Sequence, residues 1–326
     1  VPNPVIYTGA KPVYVDIDPQ TYNMDVHKLK NAITAKTKVI VCQNTFGLSS
    51  DIEEITEMAR KKNIYTIEDC THGFGGSYNN IPNGSSCDAA FFSTQWNKPF
   101  STGIGGFAVI NNEKLLPGFL ETEKEKIQPS CKEKCMLRLL LFARDTFFNE
   151  TTYWTLLKFY RWLSKNNLVI GSSGKEELGS IEMPAGFYKD MSRIQVKKGI
   201  KNVLKLDEMM KRRKENAEKY SAFLKKHNKI YVPETQFPNH SFLKYPILVN
   251  NRQDFFKRAE KAKINLGDWF LSPIHPVKGD LTPWFFDKDK FPIAVKTASK
   301  AINLPTDTKN FQKVLQFLDD YIDEIV

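Results

Sequence analysis

The chain has 326 residues, of which 41% are hydrophobic and 26% charged, an ordinary composition for one large domain or two smaller ones sharing an interface. Its formal net charge of +10 is spread along the sequence, which argues against a nucleic-acid-binding patch and suits an anionic small substrate. No run is apolar for long enough to cross a bilayer, the start lacks the order of a signal peptide, and five cysteines without regular spacing argue against a disulfide framework, so a soluble cytoplasmic protein is expected.

From Lys11 to about Asn111, short β-branched runs alternate with amphipathic stretches. PVYVDI, VHKLKNAI, KVIVCQ, IEEITEMARKK and IYTIED read as strand, helix, strand, helix and strand. That order predicts an α/β fold with a mostly parallel sheet, in which reactive groups collect at the carboxyl ends of strands. AAFFS and GFAVI are two further strands on either side of STQWNKPFSTGIGG. Beyond Glu113 the pattern changes to long aromatic-rich helices, MLRLLLFARDTFF and YWTLLKFYRWL, followed by a loop at SSGKEELGS. Their apolar faces are expected to pack on the protein body or a second subunit rather than on a membrane surface. Cys131 and Cys135 in CKEKC have no second Cys or His pair beside them, so no metal is expected there. One long helix is predicted from Ser192 to about Lys225, with KRRK at Lys211 to Lys214 on its solvated face. Strands IYVP and LKYPILV, a helix at RQDFFKRAEKA, a Pro- and Trp-rich segment and a final helix NFQKVLQFLDDYIDEI complete the chain.

The chemistry centres on Lys98. Pro99 biases it toward an extended backbone that projects the side chain off a glycine-rich loop, and those glycines would let a bulky ligand approach. A lysine amine attacks an aldehyde only when desolvation or neighbouring positive charge lowers its pKa. Asp69, ending the strand IYTIED, supplies the carboxylate that a pyridine-ring electron sink needs at its nitrogen, while Glu68 points to the opposite face. His72 lies three residues on, in place to meet a cofactor ring or to cap the next element, and Ser93 ends AAFFS with a hydroxyl for a phosphate. The glycines do not read as a dinucleotide fingerprint, because FAVINN after them is a strand and not a helix.

The ordered segments GAKPVYVDID, NTFGLSSDIEEI, IEDCTHGFGG and DAAFFSTQWNKPFSTGIGG resemble the DegT/StrS-like sugar aminotransferases, and the likeness continues in MSRIQVKKGIKNVLKLDEMMKRR, GDWFLSPIHP and AINLPT. The resemblance implies a pyridoxal 5′-phosphate enzyme of aspartate-aminotransferase-like fold type I. Its parts would be a cofactor-binding large domain over 1–124, a helical insertion over 125–184, and a connecting helix with a smaller C-terminal α+β domain over 185–326. It implies that Lys98 holds the cofactor covalently and shuttles the proton, that Asp69 partners the ring nitrogen, that His72 lies beside the ring hydroxyl and that Ser93 contacts the phosphate. Substrates would be a nucleotide-linked keto sugar and glutamate, in a homodimer with no nucleic acid involved. Phe46 and His275 are weaker candidates for lining the substrate pocket, with Gly47, Asp268 and Trp269 near them.

Three departures accompany the likeness. The family reaches the point matching VPNPVIYTGA only after a segment with a Gly-Thr/Ser phosphate-binding helix start, so the expectation is an N-terminally incomplete chain. Tyr188, Lys189 and Asp190 stand where an Asn-x-Arg pattern would reach the neighbouring subunit's cofactor. The region between about Glu125 and Ser180 is longer than the usual connection. A catalytically silent binding or assembly protein is the alternative these departures raise. A sugar dehydratase of the same fold, in which His replaces the cofactor lysine, is disfavoured by Lys98.

Overall fold

The computed structural model describes residues 2–96, 98, 100–147, 152–166 and 180–326. Short helix α1 (Pro2–Tyr7) precedes α2 (Val26–Ala32), whose first turn is capped by Asp25 accepting from the backbone N–H of His27 and Lys28. Then follow β1 (Val39–Gln43), α3 (Ile52–Lys61) and β2 (Tyr65–Asp69), a small hairpin of β3 (Ser77–Tyr78) and β4 (Ile81–Pro82), then β5 (Ala89–Ser93) and β6 (Gly106–Ile110). The main sheet runs β1-β2-β5-β6. Its first three strands are parallel, with Gln43 beside Asp69 and Asp69 beside Phe91, and β6 returns antiparallel so that Gly106 faces Ser93. Parallel pairing, with α3 crossing from β1 to β2 and the β3–β4 hairpin lying between β2 and β5 in the chain, brings the ends of β1, β2 and β5 to one edge. Val26, Leu29, Ile40, Ile52 and Ile55 form the core between this sheet and α2 and α3.

The intermediate helices are α4 (Leu116–Glu123), α5 (Cys131–Phe147) and α6 (Tyr153–Lys165). Leu137 and Leu141 of α5 are buried, whereas Leu139, Phe142, Phe159 and Trp162 remain exposed, so the expected packing of these helices is achieved on one side only. Of the expected loop SSGKEELGS, all but Ser180 lies outside the described residues. No group of described residues could hold a metal ion, and Cys131 and Cys135 are both exposed free thiols. No described helix is long and apolar enough to cross a membrane.

The single long helix expected after Ser192 is two helices, α7 (Arg193–Val203) and α8 (Leu206–Lys226), broken at the exposed Leu204. Asn202 at the end of α7 donates to the Ser101 carbonyl, tying α7 to the lysine loop, while Tyr220 and Leu224 of α8 join the C-terminal core. That core surrounds β7 (Tyr245–Leu248) and antiparallel β8 (Ala301–Leu304), with α9 (Arg252–Lys261), α10 (Pro292–Lys300) and α11 (Phe311–Asp320) around them. Two expected strands do not form. PVYVDI is anchored by side chains: Tyr14 Oη donates to the Trp284 carbonyl, and Asp16 accepts from the N–H groups of Ile293 and Ala294 at the start of α10. IYVP buries Tyr231 and Val232 in the C-terminal core without a ladder partner.

Candidate functional site

Asp69 is 2% exposed at the end of β2. Its Oδ1 accepts the Thr71 N–H at 3.0 Å, and no donor among the described residues is bonded to Oδ2. Glu68 beside it does face the other way, and it is a buried clamp, accepting from Asn44 Nδ2 and from the Gly84 N–H, each at 2.7 Å. Strand alternation therefore gives two adjacent carboxylates different work.

Lys98 follows β5 in a turn closed by its own N–H to the Gln95 carbonyl. Asn97 and Pro99 lie outside the described residues. Burial lowers the Lys98 amine to about 8; nearby Asp69 works against this and Lys244 with it. Its Nζ stands 4.4 Å from the ring centroid of Trp269. The glycines after it serve the protein's own packing: a Cβ on Gly103, at φ +94°, would meet Leu137 at 2.8 Å, and one on Gly105, at φ +112°, would meet Met191 at 3.0 Å.

His72 is buried, stacked on Trp269 at 4.3 Å between centroids and 11° between planes. Its Nδ1 accepts the Phe46 N–H at 3.2 Å, so Nε2 carries the proton of the neutral ring. Burial, then Lys98, His275 and Lys244, push it well below the usual histidine range. Phe46 itself is 2% exposed at φ +56°, its ring packed on Tyr22 and Phe270. Gly47 leaves room for Ser241, whose Oγ donates to the His72 carbonyl. His275 accepts the Leu271 N–H at Nδ1, stands edge-on to Phe270, and is lowered to about 4 by burial against the opposing pull of Asp268.

Lys98, Asp69, His72, Phe46 and His275 thus lie in one neighbourhood, walled by Trp269 and Phe270. Ser93 ends β5 at the same sheet edge and its Oγ accepts the Gln95 N–H at 3.4 Å. Tyr188, Lys189 and Asp190 turn elsewhere, to Glu123, Glu133 and Gln128. Two cations escaped the sequence reading. Lys244 stands 5.6 Å from the Trp269 centroid, lowered to about 8 by burial and Arg213 against the pull of Asp268 and Asp307. Arg213 is 5% exposed, which corrects the reading of KRRK as a solvated face: Lys211 and Lys214 are exposed and Arg213 is not. The signal for Lys244 was a lone charge inside the apolar run LKYPILV.

The sequence profile of the DegT/DnrJ/EryC1/StrS aminotransferase family matches residues 1–125 and 160–315. The chain belongs to this family. Its aminotransferases depend on pyridoxal phosphate, and their fold is the α/β arrangement described above. The uncharacterized protein MJ1066 of Methanocaldococcus jannaschii is 30% identical over 315 residues, 93% of this chain and 70% of that protein. GDP-perosamine synthase of Escherichia coli O157:H7 is 41% identical over 113 residues, 35% of this chain and 31% of the synthase. A DegT DnrJ EryC1 StrS aminotransferase from Brucella abortus superposes with a TM-score of 0.68 at 21% identity, covering 97% of this chain and 75% of that one. The family profile skips residues 126–159, so all of α5 and the first half of α6 fall outside the matched frame.

Proposed function

We propose that this aminotransferase transfers an amino group from glutamate to a keto group of a nucleotide-linked sugar, in amino-sugar or surface-polysaccharide biosynthesis. One juxtaposition carries this function: a buried carboxylate at the end of β2 with one oxygen open, and a desolvated amine in the loop after neighbouring β5, neither bonded at those atoms to another group among the described residues. The set fits pyridoxal phosphate. Asp69 Oδ2 is available to a pyridinium N–H, Lys98 Nζ to the aldehyde and Ser93 Oγ to the phosphate. The partial likeness to a GDP-sugar synthase supports the nucleotide-linked substrate, and the basic balance suits it.

Pyridoxal phosphate, when bound, supplies the electron sink that makes an α-proton of the amino donor removable. Lys98 Nζ would accept that proton and give it back, and an amine lowered to about 8 is suited to both directions. The Asp69 carboxylate oxygen left open at Oδ2 would hold the ring nitrogen of the cofactor. His72, neutral, offers an Nε2 donor on the side walled by Trp269. The reading includes a division at 1–124, 125–184 and 185–326 and a homodimer; exposed Val196, Ile200 and Leu204, four residues apart along α7 and its end, support the pairing.

The test compares the chain with Lys98→Ala. Mixed with pyridoxal phosphate and borohydride, the parent should gain a visible band and then a permanent mass increase, and it should release 2-oxoglutarate from glutamate when given a nucleotide-linked keto sugar. A mass increase that persists unchanged in Lys98→Ala would remove Lys98 from its role.

A further inference from the structure

Three cationic side chains gather at this site, and none forms an ion pair among the described residues. Lys98 and Lys244 face the same Trp269 ring, at 4.4 and 5.6 Å. Arg213, 5% exposed, leaves Nε and Nη1 buried with no hydrogen-bond partner among the described residues. The nearby acids are engaged or turned outward. Asp307 accepts from Arg212 Nε at 2.7 Å with Nη2 at 2.6 Å, Asp268 is exposed, and Asp69 lies beside Lys98.

The fold puts Arg213 and Lys244 in one place. On α8, Met210 covers Gly75 in the turn after β2, and Asn216 Nδ2 donates to the carbonyls of Thr306 and Thr308 beyond β8. Arg213, between them on the same face, stands between those two turns. Thr306 Oγ1 bonds the carbonyls of Phe242 and Leu243, and the Lys244 N–H reaches the Phe46 carbonyl, which brings Lys244 to the same point. A buried guanidinium without an acceptor is costly to fold, and its planar fork matches carboxylate or phosphate oxygens in parallel pairs. The cofactor's own polar groups already have Asp69 and Ser93.

We propose that Arg213 and Lys244 form a subsite for an anionic oxygen group of a reactant, the carboxylate of the amino donor or the diphosphate of the nucleotide-linked sugar. The subsite deepens the transaminase reading and rests on it. The two fail separately. Arg213 supplies the bidentate contact and Lys244 a point charge between it and Lys98.

Calorimetric titration with 2-oxoglutarate and with GDP, on the parent, Arg213→Gln, Arg213→Lys and Lys244→Met, tests this. Cofactor loading is read separately from the visible band and the borohydride-trapped mass, and folding from circular dichroism. The expected result is cofactor loading in all four proteins, with binding of one probe weakened at least tenfold in Arg213→Gln, several-fold in Lys244→Met, and partly restored in Arg213→Lys. Weakening of 2-oxoglutarate identifies the donor carboxylate as the ligand; weakening of GDP identifies the diphosphate. Equal binding of both probes in folded, loaded variants overturns the subsite. So does a parent that binds neither, or loss of cofactor loading itself, which would give the cations to the cofactor phosphate. If the parent takes up no cofactor, the transaminase reading fails, and the same titrations on the chain as purified still decide the subsite.

Discussion

Lys98 is set apart from an ordinary loop lysine by its surroundings, and those surroundings fix the sign of its pH response. An unburied lysine loses its proton near 10.4; burial here brings the amine to about 8, opposed by Asp69 and assisted by Lys244. The neutral amine is the form that captures an aldehyde. The rate of covalent capture of pyridoxal phosphate should therefore rise with pH up to a midpoint near 8 and then level off. Asp69→Asn should move the midpoint down and Lys244→Met should move it up, as stopped-flow absorbance would show; a midpoint near 10 in the parent would mean a solvated amine. Glu68, the other carboxylate of the pair, is structural. Glu68→Ala should strand the Asn44 amide and the Gly84 N–H and cost roughly 2–3 kcal/mol by urea unfolding, with Glu68→Gln milder; a cost below about 0.5 kcal/mol would mean that water replaces the clamp. At this scale the sequence revealed the residues whose local frame is unusual. Lys98 before a proline and Asp69 at a strand end could be picked out by inspection. Arg213 could not, because four consecutive basic residues do not say which one turns inward, and that is decided by the packing of Met210 and Asn216 on distant turns.

The glycine loop and α7 form one unit. Ser192 Oγ and the Ser192 N–H both bond Gln195 Oε1 at 2.9 Å, and Gln195 Nε2 donates to the Ile104 carbonyl at 2.6 Å. The cap that starts the helix thus also holds the loop following Lys98. Ser192→Ala should cost about 1 kcal/mol, the usual worth of such a cap. Gln195→Ala should cost more and should also slow cofactor capture by Lys98, since it frees Ile104; thermal unfolding and the capture rate measure the two effects, and a Gln195→Ala protein with parental capture would uncouple helix from loop. The elements themselves were legible where periodicity was local and strong. The strands ending at Gln43, Asp69 and Ser93, and the helices α2 and α3, follow from alternating apolar runs. PVYVDI carries the same signal yet forms no ladder, because Tyr14 and Asp16 bind residues about 270 positions away. The break at Leu204 was hidden for a similar reason: helical spacing continues through it, and only the tie from Asn202 to Ser101 shows that α7 and α8 follow different cores.

Across the molecule, burial disfavours the protonated form of three histidines, two of them beside Lys98, and the effects run in one direction. His240, stacked on Phe242 with Nδ1 accepting the Phe242 N–H, is lowered to about 3, His275 is lowered to about 4, and His72 is lowered as well. Each folded value lies below the unfolded one, so the unfolded chain binds protons that the folded chain refuses as pH falls through about 6.5. Stability is therefore full above that value and lost below it. At pH 5, His240 and His275 should each have removed about 2 kcal/mol, together about 4 kcal/mol, with His72 acting in the same sense. A domain stable by about 5–15 kcal/mol would feel this strongly. Carboxylates held low by partners, such as Glu133 at about 2 beside Lys189, lose their contribution only at lower pH and do not blur the window. Denaturant unfolding at pH 7, 6 and 5 should show the decline, and His240→Asn should remove about half of the part that His240 and His275 contribute. A flat profile between pH 7 and 5 would mean that these rings take up protons in the folded protein, and the walls around Lys98 would then be wetter than their packing implies.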